Sequence, residues 1–237
     1  LAARAVFDTV KDAVNAVFDV RQAGIPVARI EFVDELALKE INRYKGTDYA
    51  EKPTIFFEFH GNRAGLDEDR LLTEEIVNDH GCREFVYETD QGKRNQLWEA
   101  RHHVAYAFSH NYRNRKLMVT DVCLPISELA DAILFARDEV LASGLPGGIV
   151  GHVGDGNYHI NLMVDVNDPE EIAKANRLNS KIVEYAIARE GTCTGEHGVG
   201  IGKKKFQELE HGAALEIMKK LKEVLDPNGI LNPGKIF

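Results

Sequence analysis

Gly151-His152-Val153-Gly154-Asp155-Gly156-Asn157-Tyr158-His159 is the stretch on which the reading of this chain turns. Ile149, Val150 and Val153 lead into it, and Ile160, Leu162 and Val164 lead out. Two apolar, β-branched runs thus flank Asp155-Gly156, which signals a two-residue hairpin connection. With those two residues as the turn, Gly154 faces Asn157, Val153 faces Tyr158, and His152 lies directly opposite His159. Opposed residues on neighbouring strands have Cβ atoms about 4.5–5.5 Å apart, near enough for two imidazoles to meet on one ion. Side chains alternate along a strand, so Asn161 shares the face of His159 while Ile160, Leu162 and Val164 point into core.

Outward from the hairpin, the second half is expected to run strand 117–124, helix 127–142, strand 147–153, strand 158–164 and helix 169–190. The first half reads as helix 3–23, strand 27–33, helix 35–45, strand 54–60, helix 68–79 and strand 83–88. Its opening helix rests on Val6, Val10, Ala13, Val14 and Val17 at helical spacing, with Gly24 and Pro26 as the stop. A helix over about 90–110, carrying Trp98, Arg101 and Tyr106, separates the halves. Two split β-α-β units, ferredoxin-like in order and spanning about 1–90 and 115–195, predict an α+β fold: a largely antiparallel sheet with helices on one side. The first unit opens on a helix where the second opens on a strand. A missing leading strand, and hence a longer parent polypeptide, is the expectation.

Bulk properties narrow the partners. The chain has 237 residues, 44% of them hydrophobic, enough for a substantial core. A formal charge of −9 without a long basic run argues against nucleic acid. Cys82, Cys123 and Cys193 form no Cys-x-x-Cys pair, which argues against a thiolate zinc site and for a reducing compartment. No apolar run reaches the length of a membrane span.

His152 and His159 with one carboxylate suit zinc, manganese or ferrous iron and leave coordination positions for water or substrate. Glu196, in Gly195-Glu196-His197-Gly198-Val199-Gly200, is the favoured third ligand; Asp155 is its competitor. The bland alternative is a surface cross-strand histidine pair. His197 beside Glu196 is placed to take a proton near neutral pH. The glycine-rich run 191–202 permits close backbone approach but fits neither a Walker loop nor the dinucleotide fingerprint. Arg101 and Lys116 are the cations available to an anionic substrate, against the alternative of solvated charges.

Taken together, Phe57-Glu58-Phe59-His60-Gly61, Leu97-Trp98-Glu99-Ala100-Arg101-His102, Thr120 to Ser127, Gly151 to His159, Gly191 to Gly202, Leu225 to Gly229 and Leu231 to Lys235 resemble the C-terminal domain of the FAD-linked oxidases of the vanillyl-alcohol-oxidase type. Within that group the chain is most similar to the cytochrome-type D-lactate dehydrogenases, with the glycolate oxidase FAD subunit and D-2-hydroxyglutarate dehydrogenase as further relatives. The resemblance implies an N-terminal FAD-binding domain elsewhere in the polypeptide and a flavin-facing segment at 196–237. It also implies a divalent metal on His152, His159 and Glu196, a base at His197, substrate contacts from Arg101, Lys116 and Asn161, and an approach of Asn232 to the flavin. The implied reaction is oxidation of a D-2-hydroxy acid, foremost D-lactate, to the 2-oxo acid. A cytochrome, a quinone or an electron-transfer flavoprotein would accept the electrons. The implied setting is cytoplasmic or peripheral to a membrane, and mitochondrial in a eukaryote; a homo-oligomer is compatible with it. Two other classes fit the bare residues: a self-sufficient His/His/Glu metal hydrolase, and a noncatalytic ferredoxin-like ligand-binding module.

Overall fold

The computed structural model describes residues 1–237. Its first half consists of β1 (Ala2–Val6), α1 (Val10–Gln22), β2 (Val27–Val33), α2 (Glu35–Lys45), β3 (Thr54–Phe59), α3 (Arg63–Asp79) and β4 (Glu84–Glu88). Two helices follow, α4 (Gln91–His102) and α5 (Val104–Asn111). The second half comprises β5 (Lys116–Val119), β6 (Val122–Cys123), α6 (Ile126–Ser143), β7 (Gly147–Gly151), β8 (Asn157–Val164) and α7 (Pro169–Ile187). The chain ends with α8 (Gln207–His211), α9 (Ala214–Leu225) and an irregular tail.

The expected opening helix over 3–23 is corrected: Ala2–Val6 is a strand, and α1 begins after Thr9, whose side chain caps it by accepting from Asp12 N at 3.1 Å. Apolar spacing at Val6 and Val10 continued that of α1 and hid the boundary. Alanine is a poor strand former, yet β1 pairs with β3 on one edge and β4 on the other, and pairing on both edges overrides local propensity. The first unit therefore has its leading strand. The expected helix over 90–110 is two helices broken at His103, and the expected strand 117–124 is interrupted by Thr120-Asp121.

All strand pairs are antiparallel, in the order β4-β1-β3-β2-β7-β8-β5, with β6 also on β8. The block β4-β1-β3-β2 is the ferredoxin-like order. The second half repeats it, with the fourth strand reduced to one bridge between Cys123 and Thr192. The halves meet along a short seam, Phe32 opposite Gly151 and Val33 opposite Val150. Asp34 locks that seam. One carboxylate oxygen caps α2 by accepting from Ala37 N at 2.7 Å, and the other accepts from Ile149 N at 2.8 Å.

The expected helical layer, α1, α3, α6 and α7, covers one face of the sheet over a core that includes Ile30, Phe32, Phe57, Ile160 and Leu162. It is joined by a smaller layer on the opposite face, where α2, α4 and α5 bury Leu38, Ile41, Trp98 and Phe108 against Val33, Phe56, Val150 and Met163. His159 and Asn161 alternate with Ile160 and Leu162 and so belong to this second face. No helix is long and apolar enough to cross a membrane.

Candidate metal centre

The hairpin carries both histidines, but not by the expected register. Val150, not His152, lies opposite His159, and Ile149 lies opposite Ile160. A type I′ turn needs positive φ at both central residues. Gly156 has φ 81°, while Asp155 is not among the positive-φ residues. Asp155-Gly156 instead closes a four-residue connection, 153–156: His152 O accepts from Asp155 N at 2.9 Å and from Asn157 N at 3.3 Å, with a 3-10 turn at Val153–Asp155. His152 thus stands just beyond the end of β7 and leans back over the strand pair. Its ring centroid is 5.7 Å from that of His159, edge to face.

Glu196 completes the cluster. Its Oε1 lies 3.3 Å from His152 Nε2 and 3.1 Å from His159 Nε2. His197 stacks on His159 at 4.9 Å, and its Nε2 lies 3.7 Å from the same carboxylate oxygen. Asp155, the competing third ligand, turns its main-chain carbonyl to Cys123 Sγ at 3.3 Å and is not in the cluster. Cys123, His152, Asp155, Asn157, Gly195 and Glu196 line a cavity of about 330 Å3 beside it.

The far nitrogen of each imidazole decides what the near one can do. His159 Nδ1 is 3.1 Å from the carbonyl of Thr120, an acceptor only, so Nδ1 carries a proton. His152 Nδ1 is 2.7 Å from Glu31 Oε1, likewise an acceptor when ionised. In their neutral forms both rings therefore turn Nε2 lone pairs toward the same carboxylate oxygen. Two lone pairs facing an anion within hydrogen-bond distance repel unless a proton or a metal cation lies between them. Two imidazole nitrogens and a carboxylate oxygen fit a first-row divalent cation by number and type. Burial holds the His159 pKa below its usual value, favouring the neutral ligand form. The hydrogen bond that Glu31 accepts from His152 Nδ1 holds the His152 pKa above its usual value.

Two acids hold this geometry in place, and neither was among the expected site residues. Asp121, 1% exposed, fills the polar break between β5 and β6. Around its carboxylate lie Thr194 Oγ1 at 2.8 Å, Gly195 N at 3.0 Å, Glu196 N at 3.2 Å, His197 N at 3.0 Å, Asn157 Nδ2 at 2.9 Å and Lys203 Nζ at 3.0 Å. Burial works against its ionisation, but Lys203 and these donors hold its carboxyl far below the usual carboxylate range. The loop bearing Glu196 and His197 is wrapped on this anion as a nest of N–H groups. Gly195 is required there, because a Cβ would stand 1.9 Å from Asn157 Nδ2. The second acid is Glu31 on β2, 2% exposed, which meets His152 with one oxygen and Arg101 with the other. In the sequence each is the lone acid within a largely apolar run, 27–33 and 116–123 respectively, the one signal that could have marked it.

The structure brings together His152, His159, Glu196 and His197 and sets Arg101 behind them. Arg101 is not a free cation: its Nε and Nη2 each lie 3.0 Å from Glu31 Oε2. Asn161 is buried on the face of His159 and makes no side-chain hydrogen bond within the protein. Lys116 does not join them. It pairs with Val164, five positions along β8 from His159, roughly 16 Å at about 3.3 Å per residue. Paired residues share a face, so Lys116 lies on the Ile160 and Leu162 side of the sheet. Asn232 is exposed in the tail, with φ 46°; near it, Ile236 N donates to Gly200 O at 2.8 Å.

Residues 2–236 match the family described as FAD linked oxidases, C-terminal domain. The chain belongs to that family. Among relatives of this FAD-linked oxidase domain, it is 40% identical over 232 residues to a probable mitochondrial D-lactate dehydrogenase of Danio rerio, covering 98% of this chain and 47% of that one. It is 39% identical to the mitochondrial D-lactate dehydrogenase [cytochrome] of Arabidopsis thaliana, covering 98% and 41% respectively. The chain thus spans less than half the length of these relatives. Among solved structures, 4-ethylphenol oxidase from Gulosibacter chungangensis superposes with a TM-score of 0.73 at 15% identity, over 99% of this chain and 53% of that one, a likeness of fold.

Proposed function

We propose that this chain is the substrate-side domain of an FAD-dependent dehydrogenase that oxidises a D-2-hydroxy acid, foremost D-lactate, to the 2-oxo acid. The observation that carries the chemistry is the convergence of His152 Nε2, His159 Nε2 and Glu196 Oε1, with both imidazoles fixed in the tautomer that ligates through Nε2. The activity for which the relatives are named supports the substrate class. A divalent cation held by these three groups would lower the pKa of a bound hydroxyl, and FAD would take up the hydride.

This chain's own residues do the rest. Arg101, with its Nε edge held by Glu31, offers its Nη1 side to the substrate carboxylate. Asn161, buried and without an internal partner, supplies a polar contact on the same face. The 2-hydroxyl proton passes to Nε2 of His197, which is half-exposed on the open side of the cluster, as the Cα hydrogen leaves with its electron pair. Both hydrogens and both electrons are then accounted for: the hydride takes the electron pair to the flavin, the proton goes to the imidazole, and the 2-oxo acid is the product.

On this reading the FAD-binding domain belongs to the same full-length polypeptide, since the chain spans less than half the length of its relatives. A surface for it is available: Ile217, Leu221, Val224 and Leu225 of α9 are exposed, as are Ile230 and Leu231 in the tail beside Asn232. Monomeric surfaces rarely expose apolar groups in such density. On this reading residues 196–237 face the flavin and Asn232 approaches it. A cytochrome is the electron acceptor by analogy with the relatives' names, with a quinone or an electron-transfer flavoprotein as the alternatives, and the setting is mitochondrial in a eukaryote.

Anaerobic titration of the full-length flavoprotein tests this. D-lactate should bleach the oxidised flavin absorbance and yield pyruvate stoichiometrically, whereas L-lactate should not. Absence of bleaching by any D-2-hydroxy acid, or flavin-independent ester hydrolysis, would overturn the assignment.

A further inference from the structure

We infer that Glu31 is a positioning residue for the metal centre, fixing the tautomer and aim of His152 from the opposite half of the molecule while Arg101 holds Glu31 in place. This rests on the metal reading above and goes beyond it, because Glu31 touches neither cation nor substrate.

The seam explains how Glu31 arrives there. Phe32 opposite Gly151 and Val33 opposite Val150 set a register that, continued by one residue, brings Glu31 opposite His152. Ile30 and Phe32 point into the larger core, so Glu31 points to the other face, where α4 carries Arg101. The contact is therefore a product of strand pairing between the halves. His152 stands just past the end of β7, where its backbone bonds to Asp155 and Asn157 leave the ring's orientation open. Glu31 Oε1 at 2.7 Å from Nδ1 sets it.

A carboxylate buried this deeply persists only when its charge is met. Arg101 meets it with two donors on Oε2, at 3.0 Å each, leaving Oε1 for the imidazole. The order Arg101, Glu31, His152 is the carboxylate–histidine arrangement that orients metal ligands and raises their basicity. One consequence is that the aim of His152 is set only when the two ferredoxin-like halves are seated on each other. Another is that Arg101 meets a substrate carboxylate as a directional donor rather than as an uncompensated charge.

Glu31→Gln separates positioning from packing, since the side chain is nearly isosteric. Its amide oxygen is drawn to the two donors of Arg101, which turns the amide NH2 toward His152 Nδ1. That group then asks Nδ1 to accept, moving the ring proton to Nε2 and removing the lone pair the metal needs. In the full-length flavoprotein, Zn2+ affinity measured by competition with a chromogenic chelator, without substrate, is expected to fall about 10- to 100-fold. Glu31→Asp, which keeps an acceptor-only group, should recover much of it. Unchanged affinity in Glu31→Gln, with the wild type holding Zn2+, overturns the inference. A wild type that binds no Zn2+ at His152 and His159 overturns the metal reading instead. Should Glu31→Gln fail to fold, nitrogen-15 imidazole spectra of the Zn2+-loaded wild type decide: protonated Nδ1 with ligating Nε2 on His152 supports the role, and the reverse overturns it.

Discussion

Replacing Asp121 with Asn should loosen the loop bearing Glu196 and His197 before it unfolds the protein. Asp121 is 1% exposed and its partner Lys203 has a side chain 14% exposed, so the pair is largely desolvated. Removing one member of a buried pair costs about 3–5 kcal/mol, because the other charge is left uncompensated. Lys203 keeps a second bond, at 2.7 Å to the main-chain oxygen of residue 121, and some access to water, which points to the lower end, about 3 kcal/mol. An amide also cannot satisfy donors on both sides. Whichever way it turns, its NH2 faces either Asn157 Nδ2 or the N–H groups of Gly195, Glu196 and His197. Domains are commonly stable by about 5–15 kcal/mol, so the variant should fold. The assay is urea unfolding of the full-length protein combined with hydrogen exchange at the three loop amides. The expected result is a loss of about 3 kcal/mol, much faster exchange at those amides than in β8, and weakened metal retention. A stability change below about 0.5 kcal/mol, the range of ordinary surface substitutions, with amide protection intact would refute the role of Asp121 as the loop's anchor.

Other outcomes are equally specific. Asp34→Ala removes the cap of α2 and orphans the buried N–H of Ile149 at the seam; the cap is worth about 0.5–2 kcal/mol and the orphaned group about 1–3 kcal/mol. A combined loss of about 2–4 kcal/mol in chemical unfolding is expected, and a loss confined to the isolated cap value would show that the seam does not depend on it. Gly195→Ala should displace Glu196 and His197 and reduce turnover and metal content together, since the new Cβ would stand 1.9 Å from Asn157 Nδ2. Normal turnover in that variant would show that the loop is free to move off Asn157.

Much of the fold was legible because periodicity of 2 and 3.6 is a local signal. The hairpin strands, α2 and α7 lie close to where Ile149, Val150, Ile160 and Leu162, or the apolar stripes of the helices, place them. What failed needed tertiary information. β1 is a strand because β3 and β4 take up both its edges, which Ala2, Ala3 and Ala5 do not announce. The register of the hairpin was missed because Asp155-Gly156 serves either as a two-residue turn or as the end of a longer one, and only the φ of Asp155 distinguishes them.

The candidate site divides the same way. His152, His159, Glu196 and His197 were legible from residue type and from the family resemblance, and they converge even though the register that first paired the two histidines does not hold. Glu31 and Asp121 were not, since each acts through contacts 121 and 75 positions away along the chain. Lys116 qualifies by charge alone, but face and distance along β8 are set by pairing, which charge does not reveal.

The most direct test of the metal centre is anomalous diffraction from crystals of the full-length protein, purified without chelator and measured across the absorption edges of zinc, manganese and iron. One peak is expected, within about 2.0–2.2 Å of His152 Nε2, His159 Nε2 and Glu196 Oε1, and absent from the His152→Ala, His159→Ala double variant. No peak at these residues in crystals soaked with each metal, or a peak held by other side chains, would contradict the account.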